Sequence, residues 1–354
     1  MISYKIKKGD TLAKVAFYNK VRIEDLLFFN KEIFSRIDYL TPGNYLQIPD
    51  PGLASNTIKN TACFHEYGWR ELEQDREYFN GKISSEKIGT SRMGKPVWLF
   101  KTGHGPKKLF FSGTWHGNEW LNTWLLMQFL KVLQNKINLK EKWNGIDIDS
   151  LLGEATIYVV ALVNPDGAEL VQEGLFEDHY NYKEIKEIND GFTDFRHWSA
   201  NAAGVDLNHQ WPAGWKEEAL TSPASPFPRH YGGEAPLTEP ETRAVYQLTM
   251  KEEFSYVLTF HSQGEEIYWG YRDKEPPVSS ELANRLARAS SFKSVRTADS
   301  KAGYKDWFIN EFKRPGFTIE TGAGQNPLPF ESSVRIWITS VPLILESLTF
   351  PKFS

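Results

Sequence analysis

The sequence predicts an α/β protein, a mixed central sheet covered by helices, preceded by a small β-α-α-β unit. Three observations carry this. Short apolar, β-branched runs alternate with longer runs of helical periodicity through most of the chain, the pattern of strands and covering helices. Three of the apolar runs end on a His or a carboxylate, where the carboxyl ends of strands in open α/β sheets face a ligand site. The opening residues read strand, helix, helix, strand, and stop at Pro49 before the Pro/Gly/Ser-containing stretch Asp50–Asn56.

Taken in order, Tyr4–Leu12 reads as a short strand that turns at Gly9-Asp10. Ala13–Asn19 and Ile23–Asn30 read as short helices with apolar faces supplied by Ala16, Leu26 and Leu27, and Leu40–Pro49 reads as a turn, a strand and a stop. Residues 1–50 are therefore expected as one domain, 51–62 as a linker and 63–354 as the main domain, with Cys63–Phe79 carrying its first helix. Strands follow near 97–101, 108–113, 156–163, 255–260, 267–271 and 316–320, and helices near 119–134, 239–251, 279–291 and 331–348. Ala219–Pro228, rich in Pro and Ser, reads as an irregular loop, and the mixed charges of Glu173–Asp190 read as a solvated segment.

Composition narrows the function. A net charge of −4 gives no broad basic face for nucleic acid. The single cysteine, Cys63, rules out an internal disulfide. No apolar run reaches membrane length. Residues 1–3 lead straight into the first strand, so no signal peptide is expected; the chain as given would be made in the cytoplasm, with action at the cell wall or spore following release.

The chemistry is carried by His116-Gly-Asn-Glu119, which follows the apolar run Lys108–Trp115 and precedes the helical pattern from Trp120 to Leu133. A strand that empties into a loop and a helix can aim both side chains at one point, and Zn²⁺ accepts a His nitrogen and a carboxylate oxygen together. Such a pair recurs by chance, so its companions matter. His261 ends the run Tyr256–Phe260, and Glu320 ends Gly316–Ile319. His116, Glu119 and His261 make a His₂Glu set for one Zn²⁺ with an open position, and Glu320 is a further carboxylate able to deprotonate a metal-bound water.

In this order the chain resembles the zinc metallocarboxypeptidase family. The resemblance implies that His116, Glu119 and His261 are the zinc ligands and Glu320 the catalytic base. Asn164-Pro-Asp-Gly167 is similar to the family's N-P-D-G turn, Gly204-Val-Asp-Leu-Asn208 to its G-V-D-L-N segment with Asn208 on substrate, and Asp306-Trp307 stands at the family's separation from Glu320. The likeness spans roughly residues 65 to 350. Departures fall on substrate-binding positions. His209 stands where the exopeptidases carry a carboxylate-gripping Arg, and Ala298 where they carry a flexible Tyr. For the oxyanion-stabilising Arg the nearest candidate is Arg196, with Ser199 in an alternative alignment. An imidazole cannot replace a guanidinium fork, which argues against ordinary C-terminal trimming.

Residues 1–50 resemble a LysM domain, a binder of N-acetylglucosamine-containing glycan, through Tyr4-Lys-Ile-Lys-Lys-Gly-Asp-Thr-Leu12 and Pro42-Gly-Asn-Tyr-Leu-Gln-Ile-Pro49. Together the two resemblances imply a peptidase acting on peptidoglycan or muropeptide stem peptides at the bond between γ-D-glutamate and a diamino acid, diaminopimelate or lysine. Arg272 and Lys305 are basic residues near the site motifs with two readings, solvent-exposed charges or cations that read its extra carboxylates. The first domain is expected to tether the enzyme to glycan without completing the site. The rival readings are another peptidase or deacylase on the same scaffold, and a wall-binding protein without activity.

Overall fold

The computed structural model describes residues 1–33, 35, 37–49, 65–79, 81–297 and 301–352, so the expected linker, Cys63 and Ala298 lie outside the described residues. Among the described residues there are ten strands: β1 (Ile2–Lys5), β2 (Tyr45–Ile48), β3 (Ser84–Thr90), β4 (Pro96–Gly103), β5 (Lys107–Gly113), β6 (Ala155–Val160), β7 (Tyr256–His261), β8 (Glu266–Tyr268), β9 (Lys293–Val295) and β10 (Gly316–Glu320). The first two pair antiparallel and carry α1 (Leu12–Asn19) and α2 (Ile23–Phe29) between them, the expected β-α-α-β order, over a small core of Leu12, Val15, Leu26 and Leu46.

The other eight strands form one mixed sheet in the order β3-β4-β6-β5-β7-β10-β8-β9. The central β6, β5, β7 and β10 are parallel, whereas β4 runs against β6 and β8 against β10. The central strands are buried on both faces, which explains their nearly unbroken apolar runs. Alternation within β5 serves two cores: Leu109 and Phe111 join one large cluster, and Phe110 the other. The first cluster is covered by α3 (Trp69–Arg76), α4 (Leu121–Leu139), α5 (Ile148–Glu154) and α6 (Pro165–Glu173) among others.

The unit formed by residues 1–49 packs on this body through charge. Lys14 is 3% exposed, and its Nζ lies 2.9 Å from Glu71 Oε1 on α3. Burial alone would lower the Lys14 pKa, but Glu71 and Glu173 outweigh it and raise it. The network continues inward from Arg70 to Glu173 (3.1 Å) and Glu169 (3.2 Å), and from Lys95 to Glu169 (2.7 Å) and Asp166 (2.9 Å). Tyr39 donates to Val171 O at 3.0 Å and accepts from the Phe195 amide at 3.3 Å. Glu173 is thus buried and paired, not part of a solvated segment, although most charges from Glu177 to Asp190 do face outward.

Candidate metal centre

Three adjacent parallel strands deliver the site. Because β5, β7 and β10 run the same way, with Gly113 beside Phe260 and His261 beside Glu320, their carboxyl ends open on one edge of the sheet. The loop after β5 turns sharply. Thr114 adopts φ 51°, a costly conformation for a β-branched residue. Its hydroxyl bonds Glu119 O (3.2 Å) and the Thr123 hydroxyl (2.8 Å), which fixes the turn. Gly117–Glu119 then form a single 3-10 turn ahead of α4, where the sequence predicted the helix itself to begin.

The Asn164–Gly167 turn clamps this loop. The Asn164 side-chain amide donates to Trp115 O, Ser199 O and Ala200 O, and its oxygen accepts the Gly167 amide at 2.9 Å. A Cβ on Gly117 would fall 2.4 Å from the carbonyl carbon of Gly167, so the two backbones can meet only through glycine.

His116 Nδ1 lies 2.9 Å from Glu119 Oε1, and His261 Nδ1 lies 3.1 Å from Glu119 Oε2. The candidate ligand atoms of His116, Glu119 and His261 all lie within 4.8 Å of one another. Two imidazole nitrogens converging on one carboxylate make the donor set of a catalytic zinc site. Burial opposes the Glu119 charge, but His116 and His261 draw its pKa down to about 2. These atoms share protons that a cation displaces, so zinc uptake releases protons and weakens as pH falls.

The brace behind His116 is Asp206, whose Oδ1 lies 3.2 Å from His116 Nε2. Burial works against its charge, yet His209 and His116 hold its carboxyl well below the usual range. A carboxylate behind a ligating imidazole fixes its tautomer and orientation. Asp206→Asn is expected to lower zinc affinity about 10–100-fold, measured by competition with a chromophoric chelator; unchanged affinity removes this role. Asp206 lies within the Gly204–Asn208 segment, where the family resemblance implies a role only for Asn208.

Glu320 is half-buried at the end of β10. Its pKa is raised well above the ordinary range, first by desolvation and next by the Glu119 charge. Asn208 accepts the Tyr304 amide through Oδ1 at 3.3 Å. His209 is buried, with Nδ1 3.2 Å from His230 O and its ring stacked on His230 at 5.7 Å. Arg196 is not brought onto the metal group; its guanidinium bonds Asp194 and lines an adjoining cavity. Lys305 is buried, donating to Gly270 O at 2.8 Å and paired with Asp306, and Arg272 pairs with Glu217 at 2.7 Å, so neither stands as an unpaired cation over the site. Asn326, which no motif marks, reaches within 3.5 Å of Glu119 Oε1 and accepts from the Ser262 hydroxyl at 3.0 Å.

Residues 72–337 match the family described as zinc carboxypeptidase. The chain belongs to that family. Among its relatives, the γ-D-glutamyl-L-diamino acid endopeptidase 1 of Lysinibacillus sphaericus is 38% identical over 266 residues, covering 75% of this chain and 67% of that protein. An uncharacterized protein of Bacillus subtilis (strain 168) is 36% identical over 272 residues, covering 76% and 72%. Bovine thrombin-activatable fibrinolysis inhibitor, solved with tick carboxypeptidase inhibitor, shares the fold with a TM-score of 0.62 at 16% identity, covering 80% of this chain and 97% of that one. The zinc carboxypeptidase fold therefore accounts for the mixed sheet, and zinc is the ion the three-residue group is built to hold. Among the described residues no helix is long and apolar enough to cross a membrane.

Proposed function

We propose that this zinc metallopeptidase hydrolyses the bond between γ-D-glutamate and the diamino acid, meso-diaminopimelate or lysine, of peptidoglycan stem peptides, and that residues 1–50 engage the N-acetylglucosamine-containing glycan. The observation that carries the reading is an intact metal group beside an altered substrate clamp. His209, buried against His230, takes by the family resemblance the position of the carboxylate-gripping Arg, and an imidazole cannot supply a guanidinium fork. The relative whose name states this activity supports the same choice.

When bound by His116, Glu119 and His261, zinc supplies Lewis-acid polarisation of the scissile carbonyl and acidifies the attacking water. Glu320 takes the proton from that water and hands it to the leaving amine, the task of a positioned carboxylate whose pKa desolvation has raised above the ordinary range. Asn208 and His209 present an amide and an imidazole to the carboxylates on the leaving-group side.

Specificity gives a direct test. L-Ala-γ-D-Glu-diamino-acid peptides are expected to be cut with kcat/KM more than about tenfold above matched all-L, α-linked peptides, a difference of about 1.4 kcal/mol. If the all-L peptides are trimmed from the C-terminus as fast or faster, the reading is wrong.

A further inference from the structure

The expectation that residues 1–49 only tether the enzyme conflicts with where they sit. A cavity of about 630 Å³ lies between that unit and the body. Ile23, Ile37 and Tyr39 form one wall, and Trp120, Gln172 and Asn326 part of the other. Trp120 directly follows Glu119, and Asn326 stands 3.5 Å from the Glu119 carboxylate, so the cavity adjoins the metal group. The candidate leaving-group contacts, Asn208 and His209, join the metal group at another ligand, through Asp206 and His116. A substrate that places its leaving amine toward His209 extends its acyl side toward this cavity.

We infer that the cavity takes the sugar-bearing amino end of the stem peptide, an N-acetylated amino sugar joined through a lactyl amide, with residues 1–49 as a wall of the substrate cleft. This rests on the γ-D-glutamyl reading above. Three features fit that occupant. The wall is fixed, because Lys14 is buried against Glu71 and Tyr39 is bonded to both Val171 and Phe195. The ring of Tyr39 and the aliphatic surface of Ile23 and Ile37 suit the C–H faces of a pyranose. Gln172 lines the same cavity and is 7% exposed, and its Nε2, buried in the wall, has no acceptor within the protein.

The test is calorimetric binding to the zinc-loaded full chain of N-acetylmuramyl-L-alanyl-D-glutamate against L-alanyl-D-glutamate. The sugar-bearing ligand is expected to bind at least about tenfold tighter. Ile37→Trp, at a side chain that is 53% exposed and able to accept bulk, is expected to erase most of that advantage, and Tyr39→Ala to reduce it. Equal affinities in the wild type, or an advantage that survives both substitutions, overturns the inference. Cleavage of L-Ala-γ-D-Glu-diamino acid by the wild type is scored separately. Sugar-dependent binding without cleavage removes the proposed reaction and keeps the cavity's occupant; cleavage without sugar-dependent binding does the reverse.

Discussion

Glu320→Gln is expected to lower kcat by about 10²–10⁴-fold, the usual worth of a positioned general base, while zinc content and thermal stability stay near wild type. Gln matches Glu in size and keeps a hydrogen-bonding oxygen but cannot take a proton. Desolvation and the Glu119 charge raise the Glu320 pKa, whereas a divalent cation on Glu119 opposes the second of these, so base strength is set jointly by the burial of β10's end and by the ion. Measured turnover of a stem peptide within a few-fold of wild type would mean that another group moves the proton.

His261→Ala and His116→Ala are expected to reduce bound zinc from one ion per chain to a residual fraction, with activity falling in parallel. Each removes one of three protein ligands, and a catalytic zinc site with an open position has none to spare. Elemental analysis after dialysis decides it, and full zinc retention in both variants would sink the metal assignment. The fold is expected to survive, because the Thr114 turn and the Asn164 clamp hold the loop through backbone groups rather than through the imidazoles.

The strands that carry the site were legible because burial on both faces gives β5, β7 and β10 continuous apolar runs, and each run leads into His116, His261 or Glu320. β3 was not, since it is an edge strand with most of Ser84–Thr90 facing solvent, and β9 spans only three residues. Several short helices, including α5 and Tyr304–Phe312, escaped because so few turns leave little periodicity to read. The zinc ligands lie close to chain landmarks, but Asp206 acts through His116, a residue ninety positions away, and its pairing exists only once the sheet is assembled. Arg196, the candidate for the family's oxyanion-stabilising Arg, is held by its own neighbour Asp194. Lys14 and Glu71 look like ordinary surface charges in one dimension, and only their burial against each other shows that the first unit is docked.

That docking has a bearing on how such a protein can be cut, fused or recombined. An appendage held by a greasy patch can be exchanged for another of similar shape. Here the seam is electrostatic: Lys14 belongs to one side, while Glu71 and Glu173, with Arg70 between them, belong to the other. A chimera that kept the body and replaced the amino-terminal piece with one lacking a cation at this point would leave Glu71 uncompensated in a closed interface. The loss of one partner of a buried pair costs about 3–5 kcal/mol, a large share of the ~5–15 kcal/mol that holds a typical domain together. Grafts onto this body are therefore compatible only when the incoming piece brings a buried amine to the same place.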